Sequence, residues 1–197
     1  MSTDNDQYLI KAILEHGDTK DFTILVNRYK NMVFTLSLQL LKNREEAEEV
    51  AQDVFFKIFR SLALFKGDSK LSTWIYRITY NSCLDRLKSI SRRQLTVDID
   101  DFSTEHVQTM ESALDLLERS EREATIKECL SKLPVEDGTV LTLFYYQELS
   151  LPEISEIVGI EQNTLKVRLF RARKRLAVLL KMHLEPAQLQ HYGQGNR

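Results

Sequence analysis

Helix breakers are scarce in this 197-residue chain, which holds 6 glycines and 3 prolines. That excludes collagen-like and Pro/Gly-rich disordered classes and leaves long stretches free to run as helix. The two cysteines, Cys83 and Cys129, stand 46 residues apart with no CxxC. Neither a disulfide framework nor a zinc ribbon is suggested, and both are expected as buried thiols in a reducing cytosol. No apolar run approaches the roughly 18–20 residues of a membrane span, and the opening MSTDNDQ has neither a basic nor an apolar signal region. A soluble, unsecreted, cytoplasmic protein is expected, with no membrane insertion of its own. His16, His106, His183 and His191 are scattered singly, so they suggest no metal site, and no cofactor is expected. What is present in quantity is hydrophobic residues, at 43%, enough to bury a core.

Charge is also lacking on average, with a formal net of −2, yet it is sharply segregated. Residues 45–53 carry Glu45, Glu46, Glu48, Glu49 and Asp53 with no base. Residues 66–93 are net +5, residues 98–123 net −7, and residues 162–181 net +7 without one acid. Two basic blocks separated by an acidic one suggest two places where a polyanion docks.

Periodicity predicts helices almost throughout: a short amphipathic turn at 8–16, then helices over about 19–41, 44–64 and 71–91. Asp18 or Thr19 and then Asn43 are the expected N-caps. From Arg92 to about Thr109 the periodicity fades and acids accumulate, which marks a linker between two lobes. Helices resume at about 110–133, 136–147, 151–158 and 162–182, and the tail from Glu185 is expected to fray. No strand-like alternation or internal repeat appears, so the fold class is all-α. The expected division is 1–94, a linker at 95–112, 113–184, and a flexible tail at 185–197.

Three constellations carry chemistry. In the first, Leu151–Ile160 followed by Thr164–Leu169 has helix-turn-helix form. Ile154, Ile157 and Val158 make an apolar face, Gly159 permits a tight turn, and Leu165 and Leu169 repeat at i,i+4 on the next helix. Lys166, Phe170, Arg171 and Lys174 fall on the outward face, as a helix lying in the major groove requires. An ordinary solvated helix is the plainer alternative, but seven bases without an acid repel one another at i,i+4.

In the second, Ala47, Val50, Ala51, Val54, Ile58 and Leu62 form a buried stripe. Glu45, Glu49, Gln52, Asp53 and Phe56 line the exposed side. That is either a solvated acidic face or a protein-docking surface with an aromatic anchor. In the third, residues 65–81 combine aromatics, hydroxyls, an amide and bases around Gly67. Such a mixture suits unstacked bases of single-stranded nucleic acid. Trp74, Ile75 and Ile78 are expected in the core, and Lys66, Asp68, Ser69, Lys70 and Asn81 are the better contacts.

Together, EEAEEVAQDVFFKIFRSL, FKGDSKLSTWIYRITYN, a basic helix, an acidic linker and LSLPEISEIVGIEQNTLKVRLFRARKRL resemble bacterial RNA polymerase sigma factors. The resemblance is to the compact extracytoplasmic-function (ECF) group, and it spans roughly residues 10–182. It implies that Glu46, Glu49, Gln52, Asp53 and Phe56 dock on the β′ clamp coiled coil, with the β flap as a further core contact. It implies that Phe65, Lys66, Gly67, Asp68, Ser69 and Lys70 belong to the loop that captures a flipped minus-ten base, with Asn81 adjoining. Arg86, Lys88, Arg92 and Arg93 would hold upstream duplex. Thr164, Lys166, Val167, Arg168, Phe170, Arg171 and Lys174 would fall on the helix reading the minus-thirty-five element. It further implies restraint by an anti-sigma factor. The acidic stretch at 98–123 suits the basic RNA path of the polymerase. Val167 stands where the family commonly has a small polar residue. Two other classes account for parts of the pattern. A dimeric helix-turn-helix regulator leaves the acidic helix and aromatic loop unexplained. A metal-dependent nuclease using Glu45, Glu49 and Asp53 lacks paired His/Asp chemistry and a phosphate-cradling Gly loop.

Overall fold

The computed structural model describes residues 3–16, 19–93 and 119–193, and the residues described are helical with short turns. The elements are α1 (Thr3–His16), α2 (Thr19–Leu41), α3 (Arg44–Ser61), a single 3-10 turn (Leu62–Leu64), α4 (Leu71–Arg93), α5 (Arg119–Lys132), α6 (Val135–Tyr145), α7 (Leu151–Val158) and α8 (Gln162–Gly193). Among these residues there is no strand, as the absence of alternation predicts. The chain divides into two compact units, Met1–Val97 with Ser155–Gly159, and Asp98–Ile154 with Ile160–Arg197. The expected acidic linker and the expected helical residues 110–118 lie outside the described residues.

In the first unit α2, α3 and α4 pack on one another and α1 lies against α2. Leu25, Val33, Leu36 and Leu40 of α2 meet Ala47, Val50, Val54 and Ile58 of α3 and Leu71 and Ile75 of α4 in the core, all under a tenth exposed. Burying each of the leucines, valines and isoleucines is worth about 1.5–3 kcal/mol against leaving it in water. α3 starts where expected: Asn43 is extended (φ −133, ψ 128) and its side chain accepts from the Glu46 N–H at 3.0 Å. This satisfies one of the free donors of the first turn. α3 ends earlier than periodicity suggests, because Leu62–Leu64 tighten into a 3-10 turn that still buries Leu62.

α1 is a full helix rather than the short turn expected at 8–16. Its early residues look too polar to be held, but Asp6 is buried and accepts from Arg28 and from Tyr29 of α2, the latter at 2.9 Å. A tertiary contact therefore extends the helix backwards. The same contact and burial push the Tyr29 hydroxyl far above its ordinary pKa, burial being the larger cause.

The thiols are buried as expected. Cys83 lies beside Ser37 at 3.6 Å, next to a Lys57–Ser82 hydrogen bond of 2.8 Å joining α3 to α4. Burial pushes the Cys83 thiol up to about 11.

In the second unit α8 packs against α6 and α5. Val140, Leu141 and Leu143 of α6 and Leu165, Leu169, Ala172, Leu176 and Leu180 of α8 are buried. Pro134 ends α5 and opens α6, its missing N–H falling where a helix start has no partner to offer. Ser150 and Glu153 form a reciprocal cap on α7: the Glu153 carboxylate accepts from the Ser150 N–H at 2.9 Å and hydroxyl at 2.6 Å, and the Ser150 hydroxyl oxygen accepts from the Glu153 N–H at 3.5 Å. α8 does not stop near Met182 with a frayed tail; it continues to Gly193. Leu, Glu, Ala and Gln dominate the added turns, and Pro186 removes one donor without preventing later residues from bonding backwards.

Candidate functional site

The acidic helix α3 presents Glu45, Glu48, Glu49, Gln52, Asp53 and Phe56 to solvent, and Phe56 is 60% exposed. Ala47, Val50, Val54, Ile58 and Leu62 are buried as the spacing predicts, while Ala51 is only half-buried. Glu46 is half-buried because it leans towards α4, where Arg86 donates from Nε to Glu46 and from Nη2 to Glu49, the latter at 2.5 Å. These contacts raise the Arg86 pKa, the Glu46 hydrogen bond first among the causes. Arg44 takes Glu48 at 2.9 Å.

The sequence reading passed over Phe59, which is 51% exposed and meets Phe22 edge-on at 4.9 Å between centroids. Its signal was available, since Phe56 and Phe59 are three apart and share a face. Arg60 sits 5.1 Å over the Phe56 ring, so the acidic stripe ends in an aromatic and cationic edge.

The loop after the 3-10 turn exposes Lys66, Gly67, Asp68 and Lys70, with Ser69 half-buried. Gly67 adopts φ +79 with open space around it, so the backbone and not crowding requires glycine. Phe65 is half-buried and packs on Trp74, ring centroids 5.3 Å apart, which braces the loop against the start of α4. Only Ile75 of the three expected core residues is fully buried. Trp74 and Ile78 are half-buried because they flank the stripe that faces α2 and α3.

Asn81 and, further along α4, Lys88 and Arg92 are exposed, with Lys88 lying 3.7 Å from Asp85. Arg86 is instead occupied by the two glutamates. The Arg93 side chain lies outside the described residues.

α7 ends in a left-handed Gly159 (φ +70), and α8 starts three residues later at Gln162. Ile154, Ile157, Leu165 and Leu169 are buried, and Val158 is half-buried. Thr164, Lys166, Val167, Phe170, Arg171 and Lys174 are exposed, which groups them on one outward face. Arg168 is half-buried, since it lies in line with Leu165 and Ala172 at the margin of the buried stripe.

The seven bases of this helix are not equivalent. Arg173 stacks over Phe144 and Tyr145 at 5.4 and 5.3 Å, and Arg175 pairs with the buried Asp137 of α6. Lys174 rests 4.8 Å from the Phe170 centroid. Among the described residues, Lys166, Arg168 and Arg171 have no carboxylate within ion-pair distance, which leaves them available to an anionic ligand. Also among the described residues, no group of three or more His, Cys, Asp or Glu could hold a metal ion, and no helix is long and apolar enough to cross a membrane.

Residues 25–93 match the Sigma-70 region 2 family and residues 123–176 match Sigma-70, region 4. The chain is 31% identical to the RNA polymerase sigma-H factor of Pseudomonas aeruginosa, over 95% of this chain and 100% of that protein. It is 34% identical to the ECF RNA polymerase sigma factor SigW of Bacillus subtilis, over 83% of this chain and 90% of that one. Among solved structures it resembles the sigma factor RpoE in complex with the anti-sigma factor NepR from Bartonella quintana. That match has a TM-score of 0.63 and 25% identity, and it covers 83% of this chain and 98% of that one. The fold is also that of CnrH in complex with the cytosolic domain of CnrY, with a TM-score of 0.63 and 22% identity over 90% of this chain and 97% of that one. The matched segments and relatives place the chain in the sigma-70 family of RNA polymerase sigma factors, and within it in the ECF group.

Proposed function

We propose that the protein is an alternative sigma factor that binds the RNA polymerase core and directs promoter-specific, DNA-dependent transcription initiation, acting in the cytoplasm and catalysing no reaction itself. The observation that carries this reading is the pairing of two unlike surfaces on one chain. α3 presents exposed carboxylates ending in Phe56, and α8 presents Lys166, Arg171 and Lys174 with no acid on the same helix up to Lys181.

Glu46, Glu49, Gln52, Asp53 and Phe56 meet a basic surface of the β′ clamp, which gives fast encounter and correct register more than raw affinity. The α8 side chains enter the major groove of the minus-thirty-five duplex, where a bidentate Arg–guanine pair discriminates by about 1–3 kcal/mol. The 65–70 loop with Asn81 receives a base already out of the stack. Unstacking costs a few kcal/mol, so only a base that fits recovers it, and melting is thereby coupled to recognition. Lys88, Arg92 and Arg93 track upstream phosphates. The working domains are 1–94 and 113–184, joined by 95–112. An anti-sigma factor is the expected restraint, as in the RpoE–NepR complex.

Run-off transcription with purified core polymerase on a genomic fragment library, with and without this protein, is the test. Discrete new starts sharing upstream elements are expected. Specific duplex binding through Lys166 and Arg171 with no initiation would instead make it a helix-turn-helix regulator.

A further inference from the structure

Arg86 sits where two surfaces meet. It belongs to the basic stretch of α4 that carries Lys88 and Arg92, and it is also the cation against which two carboxylates of α3 are held. Glu46 and Glu49 are three apart and so share a face of α3, and one planar guanidinium from the facing helix spans both. Its side chain is 29% exposed, that of Glu46 26% and that of Glu49 65%. The cluster therefore lies at the rim, where water and a competing ion can reach it. Each group hides the other's charge: the carboxylates present less negative charge to a basic partner, and the guanidinium is withheld from phosphate.

We propose that Arg86 couples polymerase docking to duplex capture, pairing with Glu46 and Glu49 in the free protein and passing to DNA phosphate once a basic partner surface takes those carboxylates. The exchange needs only side-chain rotation at the edge of α4. It breaks two ion pairs and releases three groups, Arg86, Glu46 and Glu49, each of which gains a new partner. A free protein so arranged has weakened affinity for bulk DNA, and docking on the core restores it. The partner in this scheme is the polymerase core, so that half of the inference rests on the proposed function.

The masking half is tested without polymerase. A labelled duplex is titrated with the full chain at several salt concentrations, comparing the wild type, the Glu46→Gln/Glu49→Gln variant and the same variant carrying Arg86→Gln. The two glutamine changes should raise duplex affinity at least about threefold and steepen the salt slope by about one phosphate contact. Arg86→Gln should cancel both gains. No gain, or an equal gain in the Arg86→Gln background, overturns the proposal, the second result reducing the effect to general loss of negative charge. Glu49→Gln alone, at the more exposed carboxylate, gives the same comparison should the double variant fold poorly. A parallel titration with core polymerase keeps the outcomes separate: failure of the wild type to bind core removes the proposed function and the exchange step, while the duplex titrations still decide the masking.

Discussion

The two units present charge in opposite ways. In the first, one base of α4, Arg86, is held between Glu46 and Glu49 of α3, while Lys88 lies beside Asp85 of its own helix. In the second, Lys166 and Arg171 are left without carboxylates among the described residues, while Arg173 stacks on aromatic rings and Arg175 is taken by Asp137. In the proposed reading, the exposed bases of the second unit stand ready for a ligand of uniform negative charge, whereas the carboxylates paired with Arg86 stay partly masked until a basic partner takes them. A further parallel holds among the described residues: in each unit a buried aspartate is answered by a more exposed arginine, Asp6 by Arg28 and Asp137 by Arg175.

The largest expected effects test that structural parallel. Arg28→Met and Arg175→Met each leave a buried carboxylate without its cation and should each cost about 3 kcal/mol. Trp74 is the only tryptophan and lies in the first unit. Urea unfolding followed by its fluorescence should therefore register Arg28→Met, with circular dichroism detecting both variants. Equal responses of the Trp74 signal to both would show that the units unfold as one.

Phe56→Ala should weaken binding to core polymerase by about 2 kcal/mol and leave duplex binding unchanged, as fluorescence titrations of each would show. Arg171→Ala should do the reverse, lowering specific duplex affinity roughly tenfold and relaxing the base preference at one position. Loss of both activities in either variant would break the division of labour.

Alkaline pH should act chiefly on the first unit. Cys83 is pushed up from 9.0 to about 11, with burial the leading cause, and burial pushes Tyr76 from 10.0 to about 12. Both stay protonated in the fold after their unfolded counterparts have ionised, so unfolding releases protons and rising pH favours the unfolded chain. The urea midpoint read from Trp74 should fall between pH 9 and 11, by about 1 kcal/mol per pH unit in stability, with Cys83→Ala flattening the trend. The smallest effect is Asn43→Ala, which removes the α3 cap at a cost of about 1 kcal/mol. It should appear in thermal melts monitored at Trp74.

Much of the α3 and α8 geometry was legible in sequence because an amphipathic helix writes its buried face into its spacing. Val50, Val54 and Ile58, and Leu165 and Leu169, could hardly lie elsewhere. The Asn43 cap was legible because its hydrogen bond is made within three residues. Less legible were Trp74 and Ile78, since position at the margin of a stripe depends on which neighbour covers it. The start of α1 was hidden because it depends on Arg28 and Tyr29, more than twenty residues away.

By itself the sequence determined the all-α class, the helix-turn-helix order and the separation of charge into blocks. These follow from local periodicity, from the few glycines and prolines, and from a count of ionisable side chains. Only the tertiary structure decided which charges remain for a ligand. Arg86 and Lys88 look alike along the chain, as do Arg171 and Arg175. A guanidinium is spent or spare according to whether packing brings a carboxylate or a ring within a few ångströms of it, and that distance is set by how helices far apart in sequence come to lie together.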